Sequence, residues 1–152
     1  MKRDLILLLL VLAVALHVLT GCSKDGLISG YEEGLAWVGD LPLREEARLC
    51  GERTFGSDHY TGEYRAEYAS ETGTEFLFGG TSLDAHTGLS LRCEMEEGQG
   101  SARLCLQSPE GETQVLCEAG ESCERTLDLP AGSNYLYVEL TDYTGTVSLT
   151  VE

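Results

Sequence analysis

The chain has 152 residues, 26 of them acidic and 10 basic, for a net charge of −16. That excess excludes a surface built for nucleic acid, whose phosphates require a basic footprint, and it disfavours a peripheral grip on anionic lipid. The length suits one domain, and six cysteines make the redox compartment part of the argument.

Met1-Lys2-Arg3 gives a positive start, Leu5 to Leu16 an unbroken apolar run, and Leu19-Thr20-Gly21-Cys22 a small-residue ending. These are the three zones of an export signal. The run is shorter than the roughly 20 apolar residues an untilted membrane span needs, and His17 interrupts it. The ending resembles the lipobox of bacterial lipoproteins. That resemblance implies a diacylglyceryl thioether on Cys22 and removal of residues 1–21. Two acyl chains hold a protein stably where one holds it only marginally. Lys2 and Arg3 leave with the leader, taking the basic residues from 10 to 8, and Asp4 takes the acidic ones from 26 to 25, for a net −17. The expected location is the extracytoplasmic face of the cell membrane, with the lipid on Cys22 as the membrane contact.

Residues 22–52 are expected to form a lipidated tether. Its first part, 23–34, is polar and glycine-containing. A short helix over 41–50 is predicted from Asp40 as cap, Pro42 in the first turn and Gly51 at the end.

Period-two alternation begins at Arg53 and runs through 53–152. Tyr64, Ala66 and Tyr68 alternate with charged residues, and Phe76 and Phe78 precede Gly79-Gly80. Leu89, Leu91, Cys93 and Met95 alternate with Ser90, Arg92, Glu94 and Glu96 in a half-buried strand. Leu104 and Leu106, then Val115 and Cys117, continue the apolar face. Leu127 and Leu129 precede the turn Pro130-Ala131-Gly132-Ser133; Leu136, Val138 and Leu140, then Val147, Leu149 and Val151, complete the series. A two-residue turn at Gly98-Gln99 would pair Met95 with Ala102, Cys93 with Leu104 and Leu91 with Leu106, keeping every apolar residue on one face. Ser108-Pro109-Glu110-Gly111 fits a type I turn. Thr-Gly recurs at 61–62, 72–73, 87–88 and 144–145 and reads as a strand-entry turn.

Short strands at this spacing predict an all-β, antiparallel β-sandwich or small barrel. The stretch from Leu129-Pro130-Ala131-Gly132 to Leu149-Thr150-Val151 resembles the last hairpin of small jelly-roll sandwiches found in secreted carbohydrate-binding and protease-accessory domains. The whole chain is similar to short cell-envelope lipoproteins of Gram-positive anaerobes. The resemblance implies a jelly-roll-like architecture and supplies no function.

With Cys22 lipidated, Cys50, Cys93, Cys105, Cys117 and Cys123 form an odd set. Outside the cytoplasm disulfides are the default. Cys117 and Cys123 bracket Gly120 and are the first choice of pair, closing a hairpin loop. Cys93 and Cys105 face opposite ways in the register above, and Cys50 is placed to reach either. The chain has no Cys-x-x-Cys pair and no His near a cysteine in sequence, so no metal site is expected, and no cofactor.

Ser57-Asp58-His59 sets three triad residue types side by side, but a triad requires convergence from separate segments. His86, in the turn Asp84-Ala85-His86, reads as exposed, and Glu94, Glu96 and Glu97 read as solvated. No catalytic residue is expected. Tyr135 and Tyr137 lie opposite Leu136 and Val138 and are the candidate ligand-binding residues, for stacking on a sugar ring or anchoring a protein; Tyr64 and Tyr68 share a face on their own strand. Against this, a core could take one row while the tether or helix covers the other. The expected function is a non-enzymatic binding or structural module of the cell envelope, its partner a glycan or an envelope protein. A carbohydrate-binding module and, less favoured, a hydrolase are the alternatives.

Overall fold

The structure, a computed structural model, describes residues 49–111 and 113–152. The leader, Cys22, the tether and residues 41–48 of the expected helix lie outside the described residues. Leu49 and Cys50, the last two positions of that helix, are not helical. Among the described residues no helix is long and apolar enough to cross a membrane.

Seven antiparallel strands follow: β1 (Glu52–Phe55), β2 (Gly62–Ser82), β3 (His86–Met95), β4 (Gln99–Gln107), β5 (Thr113–Glu118), β6 (Ser122–Leu129) and β7 (Gly132–Val151). β2 and β7 are more than twice the usual strand length because each serves two sheets. The first part of β2 pairs with the last part of β7, Tyr64 opposite Leu149, and its second part pairs with the start of β7, Phe76 opposite Tyr137. β1 and β3 flank the first pairing, and β6 lies beyond β3. β4 flanks the second, with β5 beyond it. Sheet one is therefore β1-β2-β7-β3-β6 and sheet two β2-β7-β4-β5, the strand order of a jelly roll.

Both long strands turn the corner between sheets at the same level. Ser70 (φ 62°) and Asp142 (φ 48°) take left-handed backbone there, and the register slips on either side of Glu71. Side chains satisfy the backbone groups that the slip leaves without ladder partners. Ser70 N–H donates to Thr144 Oγ1 at 2.9 Å, and Asp142 N–H donates to Thr72 Oγ1 at 2.8 Å. Thus two of the four Thr-Gly pairs, at 72–73 and 144–145, mark the corner. The other two fall at strand beginnings, as expected.

One core joins the sheets. Tyr64, Ala66, Tyr68, Leu91, Cys93, Met95, Val147, Leu149 and Val151 face inward from sheet one, and Ala102, Leu104, Leu106, Leu116, Leu136, Val138 and Leu140 from sheet two. The turn at Ser108 closes as predicted, Gly111 N–H donating to Ser108 O at 2.9 Å. Asn134, 1% exposed, secures the next turn by donating to Pro130 O at 2.7 Å.

Three expectations fail. β3 and β4 do not pair: β3 lies between β6 and β7, and β4 between β5 and β7. The apolar rows 91–95 and 102–106 meet face to face across the core instead of side by side in one sheet. Alternation dictates the buried face of each strand but not its hydrogen-bonded neighbour. In β5 a bulge opposite Leu104 and Cys105 turns both Leu116 and Cys117 inward and leaves Val115 41% exposed. A further slip between Phe76 and Phe78 buries Phe78 and puts Phe76 on the other face.

Candidate functional site

The outer face of sheet two carries the predicted ligand-binding residues. Strand alternation places Leu136 and Val138 inside, so Tyr135 and Tyr137 stand outside on β7. Phe76 joins them from β2 because of the slip that separates it from Phe78. Its ring meets Tyr137 at 5.3 Å between centroids and Tyr135 at 5.7 Å, the latter edge-on, a favourable aromatic geometry. Tyr135 and Phe76 are half-buried. Tyr137 is only 7% exposed, and its hydroxyl lies 3.3 Å from Thr113 Oγ1. Cys105, opposite Tyr137 on β4, is buried on this same outer side, and its burial pushes the thiol up. The ion pair Arg103–Glu139, at 2.6 Å, borders the aromatic group in the neighbouring row. The aromatic part of this face thus adjoins a charged one.

The other tyrosine pair has a different fate. Tyr64 and Tyr68 are each 1% exposed, so they offer no ring to a ligand. Their hydroxyls lie 2.9 Å apart and both donate to Glu75 Oε2, from Tyr64 at 2.6 Å and from Tyr68 at 3.0 Å. Glu75 Oε1 accepts from Cys50 N–H at 3.2 Å, tying the chain's entry to β2. A buried carboxylate is tolerated because it collects these donors. Burial, then the bond to Glu75, raises the Tyr64 hydroxyl well above its ordinary range; Tyr68 is raised by burial and by its bond to Tyr64. Cys50, placed by the sequence within reach of Cys93 or Cys105, bonds to neither. All three are free thiols, and desolvation together with Glu75 pushes Cys50 up to about 11.

Cys117 and Cys123 are disulfide-bonded, with Cα atoms 6.0 Å apart. The loop they close is a crossover, not a hairpin, since β5 belongs to sheet two and β6 to sheet one. Cys117, Glu121 and Cys123 are also the one group of three His, Cys, Asp or Glu donors that converges among the described residues. The spacing Cys-x-x-x-Glu-x-Cys matches no familiar ligand signature, and a search for paired cysteines and nearby histidines passes over it.

Ser57, Asp58 and His59 do not converge. Asp58 Oδ1 accepts from Tyr60 N–H, Thr61 N–H and the Thr61 hydroxyl at 2.9–3.0 Å, forming a local turn. Its Oδ2 lies 4.0 Å from His86 Nδ1, and His86 stacks on Tyr60 at 4.0 Å. His86 is therefore half-buried and not simply exposed. His59 and His86 border one recess of about 320 Å³, with Ser57 outside it. Two hydroxyls on that recess are hydrogen-bonded, Thr81 with Ser133 at 2.8 Å and Ser82 accepting from Asp84 N–H at 3.1 Å. Glu94, Glu96 and Glu97 line a separate, acidic cleft with Glu121.

No family model and no curated protein matches the chain. Among solved structures it is similar to the pre-peptidase C-terminal domain of a collagenase from Bacillus anthracis, at 18% identity and a TM-score of 0.44, over 66% of this chain and 99% of that one. It is also similar to an exo-β-1,3-galactanase from Phanerochaete chrysosporium with galactose, at 12% identity and a TM-score of 0.38. That match covers 71% of this chain and 28% of the galactanase chain.

Proposed function

We propose that this protein is a lipid-anchored, extracytoplasmic module that binds or braces a component of the cell envelope and performs no catalysis. The observation that carries the reading is the aromatic group Phe76, Tyr135 and Tyr137 on the outer face of sheet two, placed beside the Arg103–Glu139 pair. Rigid aromatic rings beside charged hydrogen-bonding groups suit recognition of a sugar or of a protein surface. The dispersal of Ser57, Asp58 and His59 and the hydrogen-bonded hydroxyls of Thr81 and Ser82 on the His86 recess support a role without nucleophilic chemistry. The anchor rests on Leu19-Thr20-Gly21-Cys22 and on the acidic excess, which leaves lipid as the natural means of attachment.

Two experiments test the two halves of this reading. Metabolic labelling with a palmitate analogue should mark the parent and spare Cys22→Ser; label retained by the variant refutes the anchor. The carbohydrate reading is favoured specifically by the half-buried Tyr135 ring. A glycan array should then show binding by the parent and its loss in Tyr135→Ala, with Tyr137→Ala weaker through loss of support for its neighbour. An array with no binding by the parent leaves a protein partner, to be identified by pull-down from the native envelope.

A further inference from the structure

The loop between β5 and β6 carries more than its bridge. Cys117 Sγ, a carboxylate oxygen of Glu121 and Cys123 Sγ all lie within 4.8 Å of one another. Glu121 is held in this group locally. Its Oε2 accepts from Glu118 N–H at 3.1 Å and lies 3.7 Å from Cys123 Sγ, and its carbonyl oxygen is 3.9 Å from Cys117 Sγ.

The bridge is not the sole support of this arrangement. Ala119 N–H donates to Ala102 O and Gly120 N–H to Met95 O, both at 3.0 Å, so the loop is pinned to both sheets. Met95 N–H donates to Glu121 O at 3.0 Å and Glu121 N–H to Glu118 O at 3.1 Å. None of these four bonds involves a sulfur atom, so opening the S–S bond removes none of them directly. Glu121 also borders a cleft of about 540 Å³ lined by Glu94, Glu96 and Glu97, with Arg65 as its basic residue. Carboxylates crowded on one wall raise the local cation concentration.

We propose that, with the bridge reduced, Cys117, Cys123 and Glu121 form a site for a thiophilic divalent cation of the Zn²⁺ type, so that disulfide and metal site are alternative states of one loop. A tetrahedral cation with bonds of about 2.3 Å to sulfur and about 2.0–2.2 Å to oxygen sets its donors roughly 3.5–3.8 Å apart, within the span available here. The chemistry balances with a dithiol as reductant. The dithiol gives up two hydrogens and becomes a disulfide, and Cys117 and Cys123 take them up as two thiols. The cation then displaces two protons to solvent and is held by two thiolates and the Glu121 carboxylate. Water completes the fourth position. Cys93 stands opposite Cys123 in register but is fully buried and lies outside the converging group.

The test uses the full chain carrying Cys22→Ser and Cys50→Ser, which leaves the buried Cys93 and Cys105 as the thiols outside the loop. After reduction by a phosphine and its removal, titration with Co²⁺ should give a 1:1 complex with a thiolate-to-cobalt band in the near ultraviolet, displaced by Zn²⁺. The oxidised chain, with the same fold and no loop thiolates, should give none. Glu121→Gln should weaken Co²⁺ binding by at least about tenfold, since even groups that only support a ligand cost that much. Cys123→Ser should abolish the band. The proposal is overturned if the reduced chain gives no band, if the oxidised chain gives the same one, or if Cys123→Ser retains it. Loss of β-sheet circular dichroism on reduction also overturns it, because the loop would then not be preformed.

Discussion

The two tyrosine pairs of this domain look alike in sequence and occupy opposite environments. Tyr64 and Tyr68 face the interior from sheet one and surrender their hydroxyls to Glu75. Tyr135 and Tyr137 face outward from sheet two and pack their rings on Phe76. An alternating strand has two faces and no label saying which is inside. The corner decides: because β2 passes from one sheet to the other, Glu75 arrives opposite the tyrosines that began the same strand. The inner pair is sealed in the core, and of the outer pair Tyr135 keeps part of its ring at the surface.

The sharpest way to break that contrast is truncation. Tyr68→Ala should cost about 3–5 kcal/mol in unfolding free energy, as removal of a large buried aromatic does, whereas Tyr135→Ala should cost about 1 kcal/mol or less. Equal losses in chemical denaturation would erase the distinction. Tyr64→Phe isolates the polar part. It removes the 2.6 Å bond to Glu75 while keeping the ring, and should cost about 1.5–3 kcal/mol. The Cys117–Cys123 bridge closes so short a loop that its reduction should cost only about 2 kcal/mol, read as a lower denaturant midpoint.

The smallest effect concerns pH. The fold raises Cys93 from 9.0 to about 12 and lifts Tyr64 and Tyr68 above their ordinary 10.0, in each case first through burial. The unfolded chain therefore releases these protons at lower pH than the folded one. Their stabilisation is complete below about pH 9 and is lost as pH rises through the folded values. Melting temperature should fall from pH 9 upward, and Tyr64→Phe with Tyr68→Phe should flatten the decline. A parent curve that stays level to pH 12 would contradict this assignment.

Much of the fold was readable from residues alone. The inward rows 64–68, 91–95, 136–140 and 147–151, the Ser108 turn and the Cys117–Cys123 pair all follow from alternation, turn chemistry and cysteine spacing. What escaped is long-range or irregular. The partners of β3 and β4 lie up to some sixty residues away, and no local pattern names them. The slips at Leu116 and at Phe76–Phe78 are backbone irregularities that leave residue types unchanged. They nonetheless bury Leu116 and bring Phe76 to Tyr135. For the site, Tyr135 and Tyr137 were visible as an outward row. The Glu75 cluster and the group of Glu121 with Cys117 and Cys123 were not, since one depends on an acid buried by folding and the other on the local turn that brings Glu121 back to the two sulfurs.

The sharing of β2 and β7 between both sheets has a kinetic consequence. β7, the last of the seven strands in chain order, is central to each sheet, and Gly62 pairs with Val151. Without β7, neither β1-β2 nor β3-β6 has a neighbour in sheet one, and β4-β5 stands alone in sheet two. Two-stranded fragments of that kind are marginal in water. Every stabilising ladder must therefore wait for contacts of high sequence separation, which slows folding relative to a chain of local hairpins. An emerging polypeptide would lack a stable sheet until β7 is available, then close both sheets in one cooperative step.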